Sequence, residues 1–140
     1  LFTLQNYAAK LVEKETSPKY YFMDTGLLGL MLMDCSSTQL ENLVAIELIR
    51  RYGRDNVFYF EKNVEIDFYV PEEKLAIQVS LQVLDQIDTR EREIGAFVKL
   101  KNFIGDATCL LITNSEEEEL DYEGVHVSVV PVWKWLLQIM

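Results

Sequence analysis

Two short segments that flank a turn constrain the fold of this chain more than any other feature. Apolar residues recur at every second position in both segments, and they are Val64, Ile66, Phe68 and Val70, followed by Leu75, Ile77, Val79, Leu81 and Val83. A period of two is the pattern of half-buried strands. Pro71 to Lys74 has the composition of a turn. The pattern therefore predicts a β-hairpin with one apolar and one polar face.

The polar face of this hairpin is the candidate functional site. If Glu72 and Glu73 form the tip, Asp67 lies opposite Gln78 and Glu65 lies opposite Ser80, with Cβ atoms about 5 Å apart. A slip of one residue would place the polar sets on opposite faces, so the hydrophobic pattern favours this register.

Composition and charge limit the partners of the chain. Its 140 residues are 49% hydrophobic and 26% charged, which fits one globular domain. The net charge is −10, from 13 basic and 23 acidic residues, so we do not expect unaided binding to nucleic acid phosphates. No apolar stretch approaches the roughly 20 residues that span a bilayer. Cys35 and Cys109 stand apart, as expected for reduced thiols in a cytoplasmic protein.

The remaining patterns predict an α/β protein with a mixed β-sheet flanked by helices. The predicted helices cover Leu1 to Glu15, a short stretch from Asp24 to Met31, Thr38 to Tyr52, Thr89 to Phe103, and a last segment after Pro131. The other predicted strands are Lys19 to Met23, Val57 to Phe60, Cys109 to Thr113 and Val125 to Val130. We expect the acidic run Glu116 to Glu119 to be a solvated loop.

An ordered set of motifs resembles the PD-(D/E)xK nuclease superfamily. In particular, the chain resembles the domain that lies C-terminal to many prokaryotic AAA-type ATPase modules. The matching stretches are Lys19 to Leu27, Leu40 to Leu48, Val64 to Phe68, Ile77 to Ser80, Arg90 to Ile94 and Val130 to Leu136. The resemblance implies a restriction-endonuclease-like fold.

The resemblance also implies how the chain is organised. Residues 37–140 would form the nuclease-like α/β domain, and residues 1–36 a helical or linker segment toward an ATPase module of the same polypeptide. The chain begins at Leu1, so we expect it to be a piece of a longer protein. No Walker-type phosphate loop occurs in the sequence, and ATP would bind in that other module. The expected contacts are with the ATPase module or with a second copy of the chain.

In active members of the superfamily, three acids hold magnesium and a lysine activates the attacking water. Glu41 and Asp67 match the first two acids, whereas Gln78 replaces the third acid and Ser80 replaces the lysine. Magnesium favours anionic oxygens, so Gln78 is a weaker ligand, and Ser80 supplies no positive charge. We therefore expect a vestigial site without catalytic residues, in which Glu41 and Asp67 are the remaining candidate ligands for magnesium.

Several of these residues also have structural interpretations. Glu41 fits a capping box with Thr38. Asp67 is disfavoured inside a strand, which points either to a metal or polar network or to a solvated face. Gln78 and Ser80 would join a neutral hydrogen-bond network with Asp67 or face solvent. Additional candidates are Lys99 or Lys101 as a borrowed lysine, His126 as a structural histidine, and Trp133 with Trp135 as packing or partner-contact residues.

The sequence thus predicts a non-catalytic domain that works in protein interaction or regulation. Two alternatives stay open. One is a specialised divalent-metal-dependent nuclease that borrows a lysine or receives its DNA or RNA substrate from an attached ATPase. The other is a free-standing interaction domain.

Overall fold

A computed structural model describes residues 2–11, 17–21, 37–84 and 86–138. Eight strands are present in this part of the chain: β1 Phe2–Asn6, β2 Lys19–Tyr21, β3 Phe58–Glu61, β4 Glu65–Val70, β5 Leu75–Val79, β6 Thr108–Thr113, β7 Glu118–Tyr122 and β8 Val125–Pro131. The helices described are α1 Tyr7–Leu11, α2 Ser37–Tyr52, α3 Ile87–Ile104 and α4 Val132–Leu137. The predicted helix from Asp24 to Met31 lies outside the described residues.

All eight strands belong to one mixed sheet in the order β2-β1-β3-β4-β5-β6-β8-β7. The strands β5, β6 and β8 run parallel to one another, and β3, β4 and β5 are successive antiparallel neighbours. α3 connects β5 with β6, which run parallel. β2 and β7 are the two edges of the sheet. The α/β class and the mixed sheet with helices are therefore confirmed.

Apolar side chains cover both faces of the sheet. On one face, α2 buries Leu40, Val44 and Leu48 against side chains that include Phe68, Val70, Ile77 and Val79. On the other face, α3 buries Ile94, Phe97 and Leu100 against side chains that include Ala76, Leu111, Val127 and Val129. The prediction that one face of the β4–β5 hairpin is polar and open was therefore wrong for β5. Its central residues are buried on both sides because the strand lies inside the sheet.

The N-terminal segment differs from its prediction. Residues Phe2–Asn6 form a strand, and the helix is limited to Tyr7–Leu11. The Asn6 side chain fixes this change of structure: its Oδ1 accepts hydrogen bonds from the N–H groups of Ala8 (3.1 Å) and Glu61 (3.0 Å). β1 pairs in parallel with β3 and antiparallel with β2. These strands precede the predicted boundary at residue 36 and belong to the same sheet as β3.

Each of the two long helices ends immediately before a glycine. The N–H of Gly53 donates to the carbonyl of Ile49, and that of Gly105 donates to the carbonyl of Lys101, each at 2.9 Å. The two glycines have φ angles of 90° and 79°. Because side chains with a Cβ atom disfavour positive φ, glycine is the residue suited to stop a helix in this way.

The acidic run is not a loop throughout, because β7 begins at Glu118. Before it, the Glu116 carboxylate accepts hydrogen bonds from the main-chain N–H groups of Val83 and Leu84, the second at 3.0 Å. The Glu116 main chain also bonds the buried Thr113 hydroxyl, which donates to the Glu116 carbonyl at 2.7 Å. Glu116 therefore holds the segment after β5 against the end of β6.

Replacing Glu116 with alanine should lower the free energy of unfolding by about 1 to 3 kcal/mol, because two main-chain donors lose a charged acceptor. Urea unfolding followed by circular dichroism measures the change. Glu117→Ala is the matched control, because Glu117 pairs only with the half-exposed Lys134 among the described contacts. Equal effects of the two substitutions would contradict this role of Glu116.

The two C-terminal tryptophans have different environments. Trp135 is buried, and the Arg51 guanidinium lies 4.5 Å from its ring centroid. Trp133 is 58% exposed. Trp135 is therefore a packing residue, whereas Trp133 is free to contact solvent or a partner. None of the helices in the described ranges is both long and apolar enough to cross a membrane.

Candidate functional site

The site lies where the β4–β5 hairpin opens. Main-chain pairing runs from Val70 opposite Leu75 to Phe68 opposite Ile77, which is the predicted register. β5 ends at Val79, earlier than predicted. Ser80 follows the strand, and its N–H donates to the carbonyl of Ile112 in β6 at 3.0 Å. The predicted pairing of Glu65 with Ser80 is therefore wrong.

A β-bulge in β4 places Asp67 in the site. Phe58 of β3 pairs with Tyr69, and Phe60 pairs with Ile66, so β4 has one more residue than β3 between these pairs. The extra residue interrupts the alternation of side chains. Ile66 consequently packs on the face of the sheet that α3 covers, and Phe68 packs on the face that α2 covers. The sequence pattern had placed both residues on one face. Bulges of this kind redirect side chains next to functional sites.

Asp67 and Gln78 join the two strands beyond the last main-chain pair. The Asp67 N–H donates to Gln78 Oε1 at 2.8 Å, and Gln78 Nε2 donates to the carbonyl of Glu65 at 3.0 Å. In return, Asp67 Oδ2 accepts a hydrogen bond from the Val79 N–H at 2.8 Å. Gln78 is 2% exposed. Its carboxamide is thus fully engaged with the main chain, as the predicted neutral network required.

Ser80 does not belong to this network. Its Oγ donates to the carbonyl of Gln82 at 3.2 Å. It lines a separate polar depression together with Ser37, Gln82, Thr89 and other residues.

A lysine that the sequence analysis did not assign to the site lies beside the acids. Lys19 of β2 places its Nζ 3.1 Å from Glu65 Oε1 and 3.8 Å from Glu41 Oε1. Burial opposes the charge of Lys19, but Glu41, the hydrogen bond to Glu65 and nearby Asp67 more than offset it, and the pKa of Lys19 is raised. One signal in the sequence pointed to this lysine: Lys19 is the first residue of the stretch from Lys19 to Leu27, which is one of those on which the resemblance was based.

The two predicted substitutes for the missing lysine are both on α3. Lys99 lines the same groove as Glu65, Asp67 and Gln78, whereas Lys101 forms an ion pair with Asp106 at 3.4 Å. Glu41 follows the first turn of α2, which begins at Ser37, so the predicted cap Thr38 is the second residue of the helix and the predicted capping box does not match the start of the helix. The Glu41 carboxylate faces Lys19.

Negative charge is concentrated around Asp67. Burial, followed by the charge of Glu41, raises the pKa of Asp67 to about 8, although the Val79 hydrogen bond opposes the shift. Burial also raises the pKa of Glu93 on α3, to which Glu65 and Glu41 add. Four carboxylates from three elements, Glu41, Glu65, Asp67 and Glu93, therefore influence one another. Burial and the neighbouring charges therefore favour the protonated form of Asp67.

The Tyr21 hydroxyl faces the same carboxylates. Tyr21 is 5% exposed, and its buried hydroxyl lies close to Glu41 at less than ideal hydrogen-bond geometry. Burial raises the pKa of Tyr21 far above its usual range, and the charges of Glu41 and Asp67 and the contact with Glu41 add to the shift. The phenol therefore stays neutral.

The arrangement does not fit the magnesium site that the resemblance implies. No group of three or more His, Cys, Asp or Glu side chains within the described ranges converges closely enough to hold a metal ion. The Gln78 oxygen accepts a hydrogen bond from the Asp67 N–H, and Glu41 and Glu65 already form ion pairs with the Lys19 ammonium.

Two other titratable residues lie outside the site. The exposed imidazole of His126 lies between Glu119 Oε2 (2.7 Å) and Asp121 Oδ1 (2.9 Å), and these hydrogen bonds raise its pKa. Cys109 is buried, and burial raises the pKa of its thiol to about 11, which makes it unreactive.

The fold and the site define an α/β protein with an eight-stranded mixed sheet and a carboxylate-rich pocket at a bulged hairpin. Comparison of the chain with known protein families, with curated proteins and with solved structures found no match.

Proposed function

We propose that this chain is a restriction-endonuclease-like domain that has lost catalysis and acts by binding, as part of a polypeptide with an AAA-type ATPase module. The order of α2, the β3–β5 antiparallel strands, α3 and the parallel strand β6 supports this interpretation. So does the approach of Glu41 from α2 to Asp67 in β4.

The observation that carries this proposal is the position of Lys19. Its ammonium group forms ion pairs with Glu41 and Glu65, where an active nuclease would need a divalent cation. A resident ammonium neutralises the acids but provides no Lewis acid and no bound water of lowered pKa. The Gln78 carboxamide is also bonded to the main chain and does not supply a negative charge. The site therefore lacks the cation and the acid that would stabilise the charge of the transition state in hydrolysis.

Metal titration of Lys19→Met tests the proposal. Isothermal titration with Mn²⁺ should detect no saturable binding to the unmodified domain and saturable binding to the variant, because Glu41 and Glu65 lose their cationic partner. Lys101→Met is the matched control, since Lys101 pairs with the exposed Asp106 on another part of α3. Both variants should be checked for an unchanged fold by circular dichroism.

The position of Lys19 also favours a second candidate function. In a metal-dependent nuclease, Lys19 could replace the lysine that is missing at Ser80, since it lies beside Glu41 and its charge reaches Asp67. The two candidates predict opposite results for one variant. If the domain cleaves DNA or RNA with Mg²⁺ and Lys19→Met abolishes cleavage, the nuclease is correct and the non-catalytic proposal is wrong.

A further inference from the structure

A histidine bridge joins the last two strands at one edge of the sheet. It consists of Glu119 and Asp121 from β7 and His126 from β8. Asp121 lies directly opposite His126 in the antiparallel pairing. His126 Nδ1 lies 2.9 Å from Asp121 Oδ1, and His126 Nε2 lies 2.7 Å from Glu119 Oε2. Both ring nitrogens therefore face a carboxylate oxygen.

The geometry of the histidine bridge indicates that the imidazole carries two protons. A neutral imidazole has one N–H donor and one acceptor nitrogen, whereas an ionised carboxylate only accepts. The Ser128 hydroxyl also donates to Glu119 Oε2, at 2.7 Å, and this hydrogen bond lowers the pKa of Glu119. Because Glu119 is ionised, the proton between it and the ring belongs to His126. The hydrogen bonds to Asp121 and Glu119 accordingly raise the pKa of His126.

Two other charged groups beside His126 pair with each other. Lys101 of α3 and Asp106 line the same depression as His126, and they form an ion pair at 3.4 Å. In the contacts of the described residues, His126 is the cationic partner that Glu119 and Asp121 share. Such exposed pairs contribute little singly, but here both depend on one proton. The charge of a single ring therefore decides whether two acids at the edge of the sheet have a cationic partner.

We propose that the histidine bridge is a pH-sensitive switch that holds β7 on β8 while His126 is protonated and loosens this edge when the proton leaves. In the sheet, β7 is paired along one side, with β8. Loss of the proton leaves one ring nitrogen as an acceptor that faces a carboxylate, so one hydrogen bond is lost and both acids lose their cation. Since the folded pKa of His126 is raised above 6.5, the bridge is fully formed below about pH 6.5 and is lost as pH rises through the folded pKa.

NMR of the ¹⁵N-labelled domain tests the bridge directly, because His126 is the single histidine of the sequence. Its ring nitrogens should show the doubly protonated imidazole below about pH 6.5, and titration should give a pKa above 6.5. Asp121→Asn and Glu119→Gln should each lower that pKa. Glu118→Gln is the matched control, because Glu118 lies opposite Val129 and removes the same charge from the other face of β7. Its effect on the pKa of His126 should be smaller.

Hydrogen exchange measures the opening of the edge. Protection factors, which correct for the intrinsic pH dependence of exchange, should fall severalfold at the β7 amides that pair with β8 as pH rises through the folded pKa of His126. The fall should be absent in His126→Gln, which cannot carry the charge. Constant protection in the unmodified domain, or an equal fall in His126→Gln, would overturn the switch. Equal pKa shifts of His126 in Asp121→Asn and Glu118→Gln would overturn it as well.

Discussion

Replacing Gln78 with glutamate is expected to destabilise the domain by about 3 to 5 kcal/mol at pH 7, and not to restore a catalytic acid. The carboxylate would be buried beside Asp67, and it could no longer donate to the carbonyl of Glu65. A buried charge without a cationic partner and an unpaired carbonyl are both strongly unfavourable. Urea unfolding of the purified variant measures the loss.

Gln78→Met separates the contribution of charge from that of hydrogen bonding. It removes the same bonds without adding a charge, so its loss should be smaller, about 2 kcal/mol. In Gln78→Glu, burial would raise the pKa of the new carboxyl above its value in the unfolded chain. The folded state of this variant is therefore most stable at low pH, and this stability is lost as pH rises. The difference between the variants should therefore shrink from pH 8 to pH 5. A glutamate variant as stable as the unmodified protein would refute the structural role of Gln78.

Asp67→Asn is expected to stabilise the domain increasingly at alkaline pH. The folded pKa of Asp67 is raised from 3.8 to about 8, so the folded state retains a proton that the unfolded state releases. Stability from this carboxyl is therefore fully present below pH 3.8 and is lost as pH rises to about 8. The free-energy difference between variant and unmodified protein should grow by about 3 kcal/mol from pH 6 to pH 9.

The asparagine keeps an oxygen that can accept the Val79 hydrogen bond, so the comparison isolates ionisation. Chemical unfolding at several pH values gives the difference directly. Asp55→Asn is the control, because it makes the same substitution at an exposed residue in the short turn after α2. A constant difference for Asp67→Asn would show that Asp67 is ionised in the folded protein at neutral pH.

Periodicity was sufficient to predict the class of fold, the two long helices and the hairpin register. These features depend on local patterns, such as the alternation in β4 and β5 and the glycines that end α2 and α3. The N-terminal prediction failed because the apolar spacing from Leu4 to Leu11 fits a helix. In the fold, the parallel pairing of β1 with β3 determines Phe2–Asn6. Such pairing joins residues distant in sequence, and a local pattern does not contain it.

The site was only partly predictable for the same reason. Asp67 and Gln78 were identified from the polar positions of the hairpin, and Glu41 from the resemblance to the nuclease superfamily. The bulge that turns Asp67 into the site depends on the pairing of β4 with β3, and no signal within β4 specifies it. The contribution of Lys19 depends on where β2 lies in the sheet, which is set by its pairing with β1.

The acidic outer strand β7 has a consequence for how copies of the domain behave at high concentration. Unpaired strand edges promote aggregation through added strands, and charged side chains oppose it. Glu118, Glu119 and Asp121 are exposed along β7, so two copies aligned at this edge would bring like charges together. Acidification toward the isoelectric point near 4.5 removes the net charge of the chain and so weakens the repulsion between copies. Copies of the domain would therefore associate more readily in mild acid.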